Sequence, residues 1–422
     1  MPFAFRRALV AACAALCCGT AFADAAKVPA ADAGLLAAAR AAQPALEQSL
    51  RDMVAIESGS ANAAGLAQMA DYTERRLAAL GARTERFAAT RGPGTLVQGT
   101  FVGTGKRRIL LIAHMDTVYP ANTLATQPIR REGNRLYGPG IADDKGGIAV
   151  ILHSLEILKA RGWRDYAQLS VLFNPDEEVG SGGSGERIAA LADQHDVVLS
   201  FEPSPDRATA GTEGVLLAAS GTATATLTIK GRASHAGAAP EQGRNALLEL
   251  AYQLQQTRDV AKDVPGTQLN WTSASADGPR NQIPETASAG ADVRISVPGG
   301  AQKLEAALQQ KVGAGHLVPD TQATVTMSEG RPAYVADARG QALARRAQQI
   351  YAELDGRKLL LIPGTGGGTD AGFAARSGKA AVLESLGLAG HGYHARDEYV
   401  DLEAVVPRLY LVTRLLEEIG RE

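Results

Sequence analysis

At 422 residues, with 45% apolar and 21% charged side chains, the chain suits a soluble globular protein of two domains. Its 43 basic and 45 acidic residues leave a formal net charge of −2, so no basic surface argues for nucleic acid or an anionic membrane as a partner.

The chain opens on a targeting segment. Arg6 and Arg7 form a positive n-region, Ala8 to Cys18 an apolar core, and Ala21-Phe22-Ala23 a small-x-small cleavage site. That core is too short to span a membrane, and no later segment reaches spanning length without charge. The residues before Cys17 and Cys18 form no clean lipobox. Residues 1–23 therefore read as a signal peptide, with a mature chain starting near Asp24 and exported to a periplasm or beyond. Cys13, Cys17 and Cys18 all lie inside this segment. The mature protein then has no disulfide, thiolate ligand or Cys nucleophile, and any metal must be held by His, Asp and Glu.

After an Ala-rich start that is expected to fray, Leu35 to Ile56 and Gly65 to Leu80 have helical spacing, with Gly81 as a C-cap. A strand follows at Leu96 to Val102. Ile109 to Ala113 is a continuous apolar run, as in strands buried on both faces inside an α/β sheet, and it ends at His114-Met115-Asp116. Asp143-Asp144, flanked by glycines, precedes a helix carrying Ile148, Ile151, Leu152, Leu155 and Leu158 on one face. The strand Leu169 to Phe173 delivers Asp176-Glu177-Glu178 into a Gly/Ser-rich loop, and the strand Val197 to Phe201 ends at Glu202.

The pattern changes near Gly221. Strand, helix, two strands, helix and strand follow between Thr222 and Met327, in the order of a small open-faced sandwich inserted into the larger domain. The α/β pattern resumes after Arg331-Pro332. It has a helix (342–354), a loop (363–372), a strand (380–384), a second loop (387–398) and a closing helix from Leu402.

His114, Glu177/Glu178, Glu202 and His394 each follow an apolar run. In open α/β sheets ligands bind beyond the carboxyl ends of the strands, so these positions converge on one edge. Singly, each has a plainer reading. The acidic triplet suits a solvated loop, His114 and His394 suit structural or exposed polar positions, and Asp143-Asp144 suits a helix N-cap. Jointly, two His and several carboxylates without Cys suit two zinc ions bridged by one carboxylate. Asp116, two residues after His114, suits the carboxylate that orients a metal-bound imidazole.

At this point the chain resembles the di-zinc aminoacylase/carboxypeptidase family, and within it the glutamate carboxypeptidases of the G type. The resemblance rests on His114-Met-Asp-Thr-Val-Tyr119, Gly138-Pro-Gly-Ile-Ala-Asp-Asp-Lys-Gly-Gly147, Asp176-Glu-Glu178, Ser200-Phe-Glu-Pro203, Lys230-Gly-Arg-Ala-Ser-His-Ala-Gly-Ala-Ala-Pro240, Thr365-Gly-Gly-Gly-Thr-Asp370 and Gly392-Tyr-His394. These appear in the family's order and cover essentially the whole mature chain.

The resemblance implies an α/β zinc-peptidase domain, with a mixed, mainly parallel sheet flanked by helices, over 24–219 and 332–422. It implies an α+β lid and dimerisation domain over 220–331. It implies two Zn²⁺ per subunit, with Asp143 bridging, His114 and Glu202 at one site, and Glu178 and His394 at the other. Glu177 would be the general base, Asp116 the residue orienting His114, and His235 a donor reaching the partner subunit's site in a homodimer. A cis peptide after Asp143 is also implied.

The substrate would be a small molecule or short peptide with a C-terminal carboxylate, met by Asn281, Arg294 and Arg331. A glutamate side chain would meet Arg207, Thr209 and Thr365. Arg207 departs from the family's Lys, in a loop that looks shortened, which changes reach and geometry. The expected reaction releases a C-terminal glutamate from N-acyl or folate-type substrates. A related N-acyl amino acid deacylase or dipeptidase is the alternative, and a non-catalytic binding protein on the same scaffold is the contrasting class.

Overall fold

The computed structural model describes residues 29–297 and 299–422. The signal segment and its cysteines lie outside these residues. A six-stranded sheet organises the larger part of the molecule, in the order Arg83–Ala88, Thr95–Val102, Gln168–Asn174, Arg108–His114, Val197–Ser200 and Ala381–Leu383. Thr95–Val102 runs against its neighbours and the other strands share one direction, so the sheet is mixed and mainly parallel.

The apolar run in Arg108–His114 is continuous because both faces of this central strand are covered. Ile109, Leu111 and Ala113 enter one core with the helices Ala33–Val54, Lys145–Ala160 and Val405–Gly420. Leu110 and Ile112 enter a second core with Ile188, Tyr334 and Phe373 on the opposite face. Each of these side chains is essentially removed from water, and each contributes about 1.5–3 kcal/mol where it is as large as Leu or Ile. Among the described residues, no helix is long and apolar enough to cross a membrane.

A third apolar core is separate. It lies between an antiparallel sheet, ordered Thr267–Ser275, Thr286–Ile295, Gly221–Lys230 and Gln322–Glu329, and the helices Ala246–Thr257 and Gly300–Gly313. The strand Gly221–Lys230 alternates strictly: Ala223, Ala225, Leu227 and Ile229 are buried, and most of the intervening residues are exposed or half-exposed. The chain enters and leaves this sandwich side by side. Thr222 donates its N–H to Arg331 O at 2.8 Å, and Gly330 donates to Thr222 O at 2.9 Å.

Several elements were not legible as strands or helices. The helix Gly185–Ala192 follows the Gly/Ser-rich loop. A small sheet joins Arg130–Glu132, Arg135–Tyr137, Tyr399–Asp401, Ala389–His391 and Ser204–Pro205. Its strands are only two or three residues long, too short to show a period. It ties the chain on both sides of His394 to the main body.

Candidate active site

Asp143 lies between two imidazoles. Its Oδ1 is 2.9 Å from His114 Nε2 and its Oδ2 is 3.4 Å from His394 Nε2. Each histidine has a second carboxylate near it: Glu202 Oε1 is 3.8 Å from His114 Nε2, and Glu178 Oε2 is 3.1 Å from His394 Nε2. His114 and Glu177 are buried, while the His394 side chain is half-exposed at the mouth of the cluster.

The supports of these groups come from distant parts of the chain. Asp116 is fully buried and accepts from the backbone N–H groups of Glu177 at 3.0 Å and Glu178 at 3.1 Å. Ser60 Oγ donates to the same carboxylate at 2.7 Å. His114 Nδ1 lies 3.0 Å from Asp116 O and 3.3 Å from Asp116 Oδ1, which sets the ring's orientation. The two adjacent aspartates divide the work. Asp144 caps the helix Lys145–Ala160 by accepting from Gly147 N at 3.1 Å, while Asp143 faces the histidines. The peptide between them is cis. Gly147 is required there, since a Cβ would stand 2.3 Å from Phe201 O.

Glu398 is a functional residue that sequence reasoning missed. It is buried and accepts from Gly140 N at 2.9 Å, Ala142 N at 2.8 Å, Asp143 N at 3.1 Å and Tyr119 Oη at 2.7 Å. It therefore pins the loop that presents Asp143. Burial, and then the Asp143 charge, push its carboxyl up to about 7. Glu384 has a similar task, accepting from Glu202 N at 3.2 Å. Asp176 accepts from Gly183 N at 2.5 Å and so closes its own loop.

The electrostatics of the cluster call for a cation. Burial pushes the Glu177, Glu202 and Glu178 carboxyls above their ordinary range, and neighbouring acids add to the effect. Burial disfavours a charge on His114, yet Asp116 and Asp143 outweigh it and hold the imidazole well above its usual range. Asp143 and Glu178 push His394 up to about 10. The carboxylates of this cluster outnumber the cationic side chains that face them. Donor atoms of His114, Asp143 and Glu178 lie within 4.8 Å of one another, as do those of His114, Glu177 and Glu202. Oxygen and imidazole donors at this spacing, with a carboxylate between two histidines, fit divalent metal ions of the zinc type.

A cleft of about 1040 Å³ opens beside the cluster, between the larger domain and the sandwich. Asp143, Glu177, Glu178, Glu202, His394, Arg294 and Arg331 line it. Arg331 is buried with its Nη1 2.7 Å from Glu177 Oε1, and its second nitrogen donates to the Glu177 carbonyl. Arg294 is held by Asp292 at 3.0 Å.

The remaining candidates are not among the residues lining this cleft. Arg207 and Thr209 sit in the short helix Arg207–Ala210, where Thr209 Oγ1 donates to Asp206 Oδ1 at 2.5 Å. Thr365 accepts from Ser220 through its carbonyl at 3.2 Å and lies next to Gly367 and Gly368, which do line the cleft. The segments that carry His235 and Asn281 meet on the sandwich, where Ala236 N donates to Asn281 O at 2.8 Å. His235 is exposed, and its Nδ1 accepts from Gly237 N at 3.1 Å and Ala238 N at 3.0 Å.

The fold and this buried carboxylate–histidine centre define a hydrolase of the metallo-carboxypeptidase type. The chain belongs to Peptidase family M20/M25/M40, whose profile matches residues 110–418. It is 43% identical over 397 residues to Carboxypeptidase G2 of Pseudomonas sp. (strain RS-16), covering 92% of each chain. It is 29% identical over 337 residues to a succinyl-diaminopimelate desuccinylase of Xanthomonas oryzae pv. oryzae, covering 75% of this chain and 86% of the relative. Among solved structures it superposes on the M20 family metallo-carboxypeptidase Sso-CP2 from Sulfolobus solfataricus. The TM-score is 0.71 at 16% identity, covering 89% of this chain and 99% of that one.

Proposed function

We propose that this protein is an exported two-zinc carboxypeptidase that hydrolyses an amide bond and releases a C-terminal glutamate from N-acyl or folate-type substrates. The observation that carries the reading is Asp143, whose two oxygens face His114 and His394 from opposite ends of one carboxylate. His114 and Glu202 would hold one zinc, Glu178 and His394 the other, and Asp143 both. When bound, the metals supply Lewis acidity toward the scissile carbonyl and toward water.

The chain's own groups do the rest. Glu177 has Oε1 held by Arg331, which leaves Oε2 to take the proton of the attacking water and return it to the leaving amine. Arg294, held by Asp292 through Nε alone, would offer its terminal nitrogens to the substrate's C-terminal carboxylate, while Arg331, with both terminal nitrogens on Glu177, would add its charge to that side of the cleft. Arg207, Thr209 and Thr365 would receive the glutamate side chain once the sandwich closes over the substrate as a lid, with Asn281 completing the carboxylate's contacts. His235 accepts at Nδ1, so its neutral ring carries the proton on Nε2, ready to donate to a developing oxyanion in the partner subunit of a homodimer. Exposed Leu247 and Leu248 on the sandwich helix suit burial in such a dimer.

The test is glutamate release from folate or methotrexate by zinc-loaded protein, with and without chelator. Absence of cleavage overturns the folate-type substrate. A panel of N-acyl amino acids and dipeptides separates the related reading as a deacylase, which the desuccinylase relative supports, or as a dipeptidase.

A further inference from the structure

We propose that a pocket at the far edge of the six-stranded sheet binds a small apolar monocarboxylate, of the size of an arylpropionic acid. The pocket holds about 280 Å³. It lies where the helices Ala63–Leu80 and Lys145–Ala160 end, against Phe101, Val102 and Leu169. Val102 closes its strand and Leu169 stands near the start of Gln168–Asn174, whereas Asp176-Glu177-Glu178 follows the other end of that strand. The 7 residues of Gln168–Asn174 span about 20 Å, and no described residue lines both this pocket and the metal cleft.

The body of the pocket is apolar. Leu155 and Leu158 are buried beneath it, and Trp163 and Tyr166 form an aromatic corner with ring centroids 4.9 Å apart. Val102 stands in its wall 72% exposed, a large apolar side chain left to water. Apolar surface of this kind gains when a ligand covers it. Ligand pockets run from roughly 300 to 1,000 Å³, so this one takes a small molecule.

The polar groups of the pocket are donors. Tyr166 is only 8% exposed, yet its hydroxyl has no hydrogen-bond partner among the described residues, and neither has Trp163 Nε1. A buried tyrosine ordinarily finds one. Lys159 and Arg164 stand at the rim. Lys159 Nζ donates to Ala79 O at 2.9 Å and Arg164 donates to Val102 O at 3.2 Å, and neither meets a carboxylate among the described residues. The two helix ends bring about half a negative charge each, and the two side chains a full positive charge each. The rim is therefore positive on balance, and none of the described residues lining the pocket is Asp or Glu. An anion with an apolar body satisfies all of these groups. Its carboxylate accepts from Tyr166 and faces Lys159 and Arg164, while its ring covers Val102, Leu155 and Leu158.

The test is fluorescence titration of the metal-loaded protein carrying Trp271→Phe. The chain has 2 tryptophans, so Trp163 is then the indole that reports. The probes are 3-phenylpropionate, 3-phenylpropanol, 3-phenylpropylamine and acetate. We expect 3-phenylpropionate to change the Trp163 emission, the alcohol to bind about tenfold more weakly, and the amine and acetate to leave the signal alone. Val102→Glu abolishes binding of the acid. Lys159→Glu and Tyr166→Phe each weaken it about tenfold, and Lys159→Glu leaves the alcohol unaffected. Val102 and Lys159 are exposed, and thermal melting verifies that the variants fold.

Equal affinity for the acid and the alcohol overturns the carboxylate assignment. Binding of the acid that survives Val102→Glu and Tyr166→Phe places the ligand elsewhere and overturns the pocket, as does a Trp163 signal that no probe changes. Each outcome is read without turnover, so it is independent of which amide the metal cluster hydrolyses.

Discussion

Arg331 holds Glu177 from two directions, through the carboxylate at 2.7 Å and through the backbone carbonyl. Both side chains are buried, and Arg331 sits where the chain returns from the sandwich. Removing one member of a buried pair costs about 3–5 kcal/mol, mostly from the charge left behind. Arg331→Ala should therefore lower the thermal midpoint. Adding Glu177→Gln should recover part of that loss, because the stranded carboxylate is gone. Scanning calorimetry of the two single variants and the double variant reads this, and strictly additive losses would contradict it.

Glu177 itself should be dispensable for metal loading and necessary for turnover. Glu177→Gln is expected to lower kcat by about 10²–10⁴-fold, the range for a positioned acid–base group. Metal content measured by atomic emission should stay at the wild-type level. Substantial turnover in this variant would assign the base elsewhere.

Glu398→Gln probes the carboxylate that pins the loop of Asp143. It accepts from three backbone N–H groups of that loop, those of Gly140, Ala142 and Asp143. Outer partners of this kind are worth about 10–100-fold in metal affinity. Competition with a chromophoric chelator should show that loss. An unchanged affinity would mean that the loop holds its shape without Glu398.

Acid stability should depend on Glu156, away from the site. Burial would raise its carboxyl, but His153 and Arg76, each 2.8 Å away, hold it at about 2 against an ordinary 4.5. A carboxyl depressed in the fold contributes stability above pH 4.5 and loses it as the pH falls through about 2. The side chain is partly exposed, so the effect is modest. Glu156→Gln should melt below wild type at neutral pH, and the gap should close across that acid window.

Much of this site is legible in the sequence, for a physical reason. A strand buried on both faces is mostly apolar and excludes unpaired charge, so the first ionisable residue after it marks the sheet edge. His114 and Glu202 are found that way. Glu398 is not, because its partners lie 255 to 258 residues earlier and its task is to accept backbone N–H groups, which leave no side-chain pattern. The pairing of Arg331 with Glu177 is equally silent, since a lone Arg before Pro332 reads as a surface residue. The small sheet around His394 escaped because its strands are shorter than one recognisable period.

The paired crossing at Thr222 and Arg331 gives the sandwich the geometry of a removable module. Its two ends are already hydrogen-bonded together, so cutting it out leaves a gap that a short turn closes without disturbing the six-stranded sheet. A chain shortened in this way would keep every carboxylate and imidazole of the metal cluster. It would lose Arg294, His235 and Asn281, and so would part the proposed catalytic cluster from the sandwich residues proposed to meet the substrate.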